Sequence, residues 1–326
     1  MIKYILPTAF LLCILIEANA QRPAPLHASG KRSNLRQKME CNDAGTIFDI
    51  QHTGQSNDTN SDTIYLCAGD ALDIIHNGDA DLNGDPQPAT APGIGYLFYD
   101  CQPTVSGPTM DTILTDPCIN QTSPIIDENG DPFFQNDTLP VWIATDQING
   151  NISFVNDGFL QAAFNNGTPA PIQFWYAPIT LDDFATQGTE GGGQCVDVSV
   201  DEAFSIVYLN PIEVSDIVTD SSATGCQGSF VVEGGLPEFD PLERYRIDIS
   251  LDSDPSVKGR IENLPITNGD TVEFFVPQAG TYTITIEDGK SCGTSFQADM
   301  AGCTAITLQF PAQSALPGDN FCVGVT

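Results

Sequence analysis

From Cys41 onward the chain alternates short runs of Val, Ile, Phe and Tyr with clusters of Gly, Pro, Asn and Asp. This pattern predicts strands closed by turns: branched and aromatic side chains suit a pleated surface, and Gly, Asn and Asp suit reversals. In the first stretch the predicted strands are Thr63–Cys67, Ala71–His76, Ile94–Tyr99, Val141–Thr145, Ile152–Val155, Ile172–Tyr176, Cys195–Val200 and Phe204–Leu209. Asn-Gly and Asp-Gly pairs at 77–78, 83–84, 129–130, 149–150, 157–158 and 166–167 mark the turns. Helix signals are few. Thr180-Leu181-Asp182-Asp183 reads as the cap of one short turn before Phe184.

Alternation is stricter after residue 210. Tyr245, Ile247, Ile249 and Leu251 alternate with polar residues, as do Tyr282, Ile284 and Ile286, so one face of each strand is expected to be buried. Predicted strands are Ile212–Val218, Ser229–Glu233, Tyr245–Leu251, Thr271–Val276, Thr281–Glu287 and Thr294–Ala298. The expected fold is all-β: tandem sandwich modules, with 41–210 a loop-rich sandwich enlarged by long loops and 211–303 an immunoglobulin-like one. Residues 304–326 read as the start of a further β module, with a strand at Ala305–Phe310 and another beginning at Phe321. A lone strand pair is marginal in water, so more chain is expected beyond Thr326.

Residues 1–20 read as a secretory signal peptide: Lys3, an apolar stretch from Tyr4 to Ile16, and Ala18-Asn19-Ala20 before Gln21. The stretch is shorter than the ~20 residues of a membrane span. Residues 21–40 form a polar leader holding Arg22, Lys31, Arg32, Arg36 and Lys38. Localisation is expected to be secreted or at the cell surface, with no membrane insertion of the mature chain.

Charge narrows the function classes. The chain has 43 Asp and Glu against 11 Lys and Arg, a formal net charge of −32. No Lys or Arg occurs between Met39 and Glu243. Such a surface repels nucleic acid and lacks phosphate clamps. His27, His52 and His76 are the only histidines, which excludes histidine-based triads and zinc clusters from the later chain. Between Met39 and Glu243, Lys and Arg salt bridges cannot form internally, so packing and disulfides must stabilise the first sandwich.

Of the ten cysteines, Cys13 lies in the signal segment; Cys41, Cys67, Cys101, Cys118, Cys195, Cys226, Cys292, Cys303 and Cys322 remain. In an oxidising compartment disulfides are expected. The candidate pairs are Cys101 with Cys118, Cys226 with Cys292, and Cys41 with Cys67. Partners for Cys195, Cys303 and Cys322 stay open, and an odd count leaves one thiol without a partner in this chain.

Gly280-Thr-Tyr-Thr-Ile-Thr-Ile-Glu-Asp288 followed by Cys292 resembles the ending of PKD-type and SprB-like repeats, and Cys226-Gln-Gly228 through Gly234-Gly235-Leu-Pro237 resembles their opening. Such repeats occur in large secreted or surface proteins of Bacteroidetes-type bacteria. The stretch from Cys41 through Ala44-Gly45 to Cys67-Ala-Gly-Asp70 is similar to the start of another extracellular module, and Leu308 through Pro317-Gly318-Asp319 to Val325 to the start of a cohesin-like or carbohydrate-binding-type β sandwich. The resemblance implies adhesion, surface display or spacing of other modules, without catalysis.

The sharpest local signal is Asp79-Ala-Asp81-Leu-Asn83-Gly84-Asp85, the front half of an EF-hand calcium loop. Asp79, Asp81, Asn83 and Asp85 are the candidate ligands of a weak structural Ca²⁺. The match fails at the twelfth position, Thr90, and Pro86 and Pro88 forbid a following helix. Asp127-Glu-Asn-Gly-Asp131 is a shorter version. Carboxylate pairs suited to glycoside hydrolysis exist at Asp182-Asp183, Glu128 with Asp131 and Asp201-Glu202, but so acidic a chain brings carboxylates together by chance. Trp142 and Phe174-Trp175-Tyr176 read either as a sugar-stacking surface or as sandwich core. The sequons at Asn57, Asn120, Asn136, Asn151 and Asn166 matter only in a eukaryotic host. No catalytic residue is assigned. The expected function is a non-catalytic adhesin or scaffold segment whose partner is a surface glycan or an extracellular protein; the alternative is a carbohydrate-binding accessory module of a secreted polysaccharide-degrading system.

Overall fold

The computed structural model describes residues 42–56, 63–82, 93–126, 132–136, 142–144, 146, 148–165, 170–181, 195–220, 226–300 and 302. The expected signal peptide (1–20), the expected leader (21–40) and the expected further module (304–326) fall outside the described residues. The fold is all-β, as the hydrophobic pattern predicts. Its earlier strands are β1 (Ile47–Thr53), β2 (Thr63–Leu66), β3 (Ala71–His76), β4 (Gly93–Tyr99), β5 (Thr122–Ile126), β6 (Pro132–Asn136), β7 (Trp142–Ile143), β8 (Ile152–Val155), β9 (Ile172–Leu181) and β10 (Phe204–Tyr208). A three-stranded sheet β1-β3-β8 faces a five-stranded sheet β2-β10-β9-β4-β7, and β5 and β6 form a separate hairpin. The β2–β10 pair is parallel.

Between the two sheets, Leu72, Ile74, Ile152 and Phe154 meet Tyr96, Phe98, Phe174, Tyr176, Phe204 and Ile206. Tyr176 packs its ring 4.8 Å from Phe98 and 4.6 Å from Phe154. Its hydroxyl meets that of Tyr208 at 2.8 Å, which satisfies both buried polar ends. The five-stranded sheet is covered on its other face too. Leu97, Tyr99, Ala177 and Ile179 pack under Met110 and Ile113 of helix α1 (Met110–Ile113) and under Val196 and Val198. Every residue of β4 and β10 is therefore buried. A strand buried on both faces has no polar side to alternate with, which explains the unbroken apolar run at Ile94–Tyr99.

Three predicted details are corrected. Cys195–Val200 is not a ladder strand, because it divides its backbone bonds: Val196 and Val198 donate to Pro108 and Ser106, and Asp197 accepts from Thr180. Thr180 does not cap a helix; it lies in β9 opposite Ile94. β1 appears where no strand is expected, because its burial alternates only weakly and its register shifts between Ile47 and Asp49.

The later strands are β11 (Glu213–Asp220), β12 (Cys226–Glu233), β13 (Arg246–Leu251), β14 (Asp254–Lys258), β15 (Arg260–Ile261), β16 (Thr271–Val276), β17 (Thr281–Glu287) and β18 (Gly293–Asp299). They form two four-stranded sheets, β11-β12-β16-β15 and β14-β13-β17-β18. Phe230, Val232, Val272 and Phe274 of one face Ile249, Tyr282, Ile284 and Ile286 of the other. Burial along β17 alternates without a break, as the sequence pattern predicts. The Tyr282 hydroxyl donates to the Gln278 carbonyl at 3.0 Å, the tyrosine corner typical of immunoglobulin-like sandwiches. Strands β14 and β15 are short and exposed, so they carry no periodic signal.

The two sandwiches are not joined by a free linker. Cys67, Val207 and Leu209 belong to the same buried cluster as Phe230, Leu236 and Tyr245. Leu209 donates its amide to Leu66 at 3.0 Å, and Asn156 Nδ2 donates to the Leu66 and Leu209 carbonyls, each at 2.8 Å. Leu209→Ala is expected to cost about 2–5 kcal/mol by leaving a cavity between the sandwiches. Urea unfolding followed by tryptophan fluorescence and by hydrogen exchange of β17 should show both signals shifting together; a shift in only one sandwich contradicts the shared core.

Candidate functional site

The predicted calcium loop begins where β3 ends. Asp79 accepts from the Thr46 amide through one oxygen and from the Thr46 hydroxyl through the other, each at 2.8 Å. Asp81 pairs with Asp43 through two backbone bonds of 2.9 Å. These contacts fix the first two predicted ligands to the edge of the sheet. Asn83, Asp85 and the shorter loop at 127–131 lie outside the described residues. Among the described residues no group of three or more His, Cys, Asp or Glu is arranged to hold a metal.

The other candidates have structural duties. Phe174 and Tyr176 are core residues, and Trp175 is half-buried against the cluster that packs under α1, so this cluster is packing rather than an open platform. The side chain of Trp142, and Glu128, Asp131, Asp182 and Asp183, lie outside the described residues. Glu202 accepts from the Ile47 amide at 3.1 Å, while Asp201 is exposed, so the two carboxylates serve different surroundings. His76 is buried; its Nδ1 accepts from the Gly78 amide at 2.9 Å, which places the ring proton on Nε2, 2.8 Å from the Ala44 carbonyl.

Sequence reasoning missed a recurring arrangement of buried aspartates beside cysteines. Asp70 accepts from the amides of Gln55 (2.8 Å), Ser56 (3.2 Å) and Cys67 (3.1 Å). Asp116 accepts from Thr104 (2.7 Å), Val105 (2.9 Å) and Cys118 (2.9 Å). Asp288 accepts from Leu236 (2.7 Å), Lys290 (2.8 Å) and Cys292 (3.0 Å). Asp197, two residues after Cys195, accepts from Ala44 at 2.9 Å. A buried carboxylate needs donors. Where cations are absent, the backbone amides of cysteine-bearing turns supply them. The available signal was the repeated placement of Asp within a few residues of Cys.

Surroundings set the proton affinities apart. Burial pushes Asp116 up, but the bonds from Thr104, Cys118 and Val105 outweigh it, and its pKa lies below the usual value. For Asp288 burial outweighs the bonds from Leu236, Lys290 and Cys292, and its pKa is raised. Glu238 is raised by burial, reinforced by Glu233 and Glu213.

Asp70 and Asp288 flank the joint between the sandwiches. A disulfide links Cys67 to Cys292, with Cα atoms 5.3 Å apart. This corrects the expected pairings of Cys226 with Cys292 and Cys41 with Cys67. Cys226 opens β12, whereas Cys292 sits at the turn into β18 of the opposite sheet and meets the end of β2. Cys195 and Cys226 each take part in a disulfide as well, and the Cys101–Cys118 pair forms as its local spacing suggests. Around the joint, Gln55 Oε1 accepts from the Gly293 amide at 2.8 Å. Tyr65 meets Phe239 edge-on at 6.3 Å, and Lys290 Nζ lies 4.1 Å above the Tyr65 ring. His52 Nε2 lies 3.3 Å from Asp70 Oδ2. A Cβ on Gly235, at φ +62°, would lie 2.7 Å from Asp288 Oδ2, so only glycine lets the backbone approach this carboxylate.

No protein-family model matches the chain, and no curated protein matches it. Among solved structures it is similar to the C-terminal 282-residue fragment of intimin in complex with the intimin-binding domain of the translocated intimin receptor. That likeness covers 80% of this chain and 65% of the other, at 9% identity and a TM-score of 0.30. It is also similar to the C-terminal domain of the Streptococcus agalactiae AgI/II polypeptide BspA, over 76% of this chain and 97% of the other, at 9% identity and a TM-score of 0.20. The all-β architecture stands on the strand pairing itself.

The aspartates give a signed pH dependence. Asp116, with its lowered pKa, stabilises the fold above its unfolded pKa, and this is lost as pH falls through the folded value. Asp288, with its raised pKa, acts oppositely and favours the fold more as it protonates. Asp116→Asn is expected to cost about 1–3 kcal/mol at pH 7 by leaving amides unpaired. It should also flatten the loss of stability between about pH 5 and pH 2. Urea midpoints across that range check this; an unchanged slope contradicts it.

Proposed function

We propose that this chain is a non-catalytic segment of a secreted or cell-surface protein that adheres to an extracellular partner or holds other modules at a fixed spacing. The observation that carries the reading is the fusion of two β-sandwiches through a common core and a buried disulfide, which suits presentation of a surface at a constant geometry. Disulfides fit an oxidising compartment, and the signal-like first twenty residues fit export. The strongly acidic surface suits an extracellular protein or glycan better than nucleic acid. The placement of Phe174 and Tyr176 in the core favours the adhesin or scaffold reading over a sugar-stacking accessory module.

The test presents immobilised residues 21–326 to a panel of extracellular-matrix proteins, bacterial surface proteins and glycans. Retention of one protein class is expected, without release of reducing sugar from any polysaccharide. Sugar release would replace the reading with a hydrolase, and retention confined to one polysaccharide class would replace it with the accessory-module reading.

The proposal includes weak calcium uptake by the loop that begins at Asp79, supported by the Asp-x-Asp-x-Asn-Gly spacing and by the anchoring of Asp79 and Asp81. Affinity in the range of roughly 10⁻⁴–10⁻³ M is expected, as in other extracellular modules. Millimolar calcium should raise the Tm of the mature chain relative to chelator, and an identical Tm in both removes calcium from the account.

A further inference from the structure

Two Asn-Gly pairs lie among the described residues, Asn77-Gly78 and Asn149-Gly150. In such a pair the glycine nitrogen can attack the asparagine side-chain carbonyl, because glycine places no Cβ beside its own nitrogen. The structure treats the two pairs differently. Asn77 and Gly78 are exposed just after β3. The Gly78 amide donates to His76 Nδ1 at 2.9 Å, and His76 Nε2 keeps its proton for the Ala44 carbonyl at 2.8 Å. A buried imidazole thus holds its lone pair on the one proton that must leave before the Gly78 nitrogen becomes a nucleophile. Nothing lies within 4 Å of where a Gly78 Cβ would stand, so the peptide has room to turn.

At the second pair that chemistry is blocked. The Gly150 amide donates to the Asp146 carbonyl at 2.7 Å, and a carbonyl is no base. Asn149 Nδ2 donates to Asp146 Oδ2 at 2.8 Å and its amide to Oδ1 at 3.1 Å, which holds the side chain in place. Gly150 is buried, and a Cβ there would lie 2.9 Å from His76 Cγ and 3.0 Å from Ile94 Cδ1.

We propose that Asn77-Gly78 is a self-modifying site, with His76 as its general base. The Gly78 nitrogen bonds to Asn77 Cγ while its proton passes to His76 Nδ1. The Cγ–Nδ2 bond then breaks, and Nδ2 takes that proton and leaves as ammonia. Water opens the resulting succinimide to isoaspartate or aspartate, so one water is consumed and nothing is oxidised or reduced. The product changes its surroundings. Asn77 Nδ2 donates to the Thr46 hydroxyl at 3.2 Å, and the same hydroxyl donates to Asp79 Oδ2 at 2.8 Å. A carboxylate at position 77 cannot donate to Thr46 and repels Asp79, so the conversion loosens the loop from the edge of the sheet, slowly and irreversibly.

The experiment incubates the full chain at 37 °C and neutral pH, folded with its disulfides intact and, in parallel, reduced and unfolded in denaturant. Peptide mapping by mass spectrometry reads amide-to-acid conversion at Asn77 and at Asn149 over time. Asn77 is expected to convert at least about tenfold faster in the fold than in the unfolded chain, a modest share of the roughly 10²–10⁴-fold that a positioned base contributes. Asn149 should convert more slowly in the fold than unfolded. A smaller gain at Asn77, protection of Asn77 by folding, or one rate for both sites in the fold overturns the proposal. His76→Gln keeps a hydrogen-bonding side chain without the base and should bring Asn77 down to its unfolded rate or below; an unchanged rate also overturns it. Asn149 reports the fold in the same sample: if it rises to its unfolded rate in the variant, the wild-type comparison decides.

Discussion

The end of β2 and the start of β18 meet at one covalent bond, Cys67–Cys292, and the packing around it makes two sandwiches behave as one body. Val207 and Leu209 leave the first sandwich already buried in the core of the second. Tyr65 reaches across to Phe239 and lies under Lys290. Gln55, at the end of the β1 region, accepts from Gly293. Each contact is modest alone, but together they hold both cysteines in bonding distance and remove water from the joint.

Electrostatics explains how so acidic a chain tolerates that joint. In a cation-free stretch a carboxylate must face solvent or find uncharged donors. Asp70 and Asp116 take the second course, each drawing on three backbone amides, and Asp288 repeats it in the second sandwich. The described ion pairs of Lys and Arg all lie in the second sandwich: Arg246–Glu287, Lys258–Asp248 and Arg260–Glu262. They are on the surface, where such pairs contribute about 0–1 kcal/mol. Negative charge is thus spent on organising turns, and the turns it organises are those that carry cysteines.

The strands with a periodic signal were legible from sequence. Tyr282, Ile284 and Ile286 alternate because one face of β17 meets solvent, and that face is visible in the sequence itself. Ile94–Tyr99 was legible as an apolar run, although its burial on both faces was not, since that depends on α1 and on Val196 and Val198 folding over it. β14 and β15 escaped notice because they are short and largely exposed. The partner of Cys292 could not be read locally: Cys67 is 225 positions away, and what joins them is tertiary. The buried aspartates were hidden for a related reason. In a chain with 43 acids, an Asp near a Cys looks like any other until its amide donors are seen.

The most direct measurement is a disulfide map of the protein, from proteolysis without reduction followed by mass spectrometry of the linked peptides. The account predicts a peptide pair that joins Cys67 to Cys292. Linkage of Cys292 to Cys226, or of Cys67 to Cys41, would contradict it.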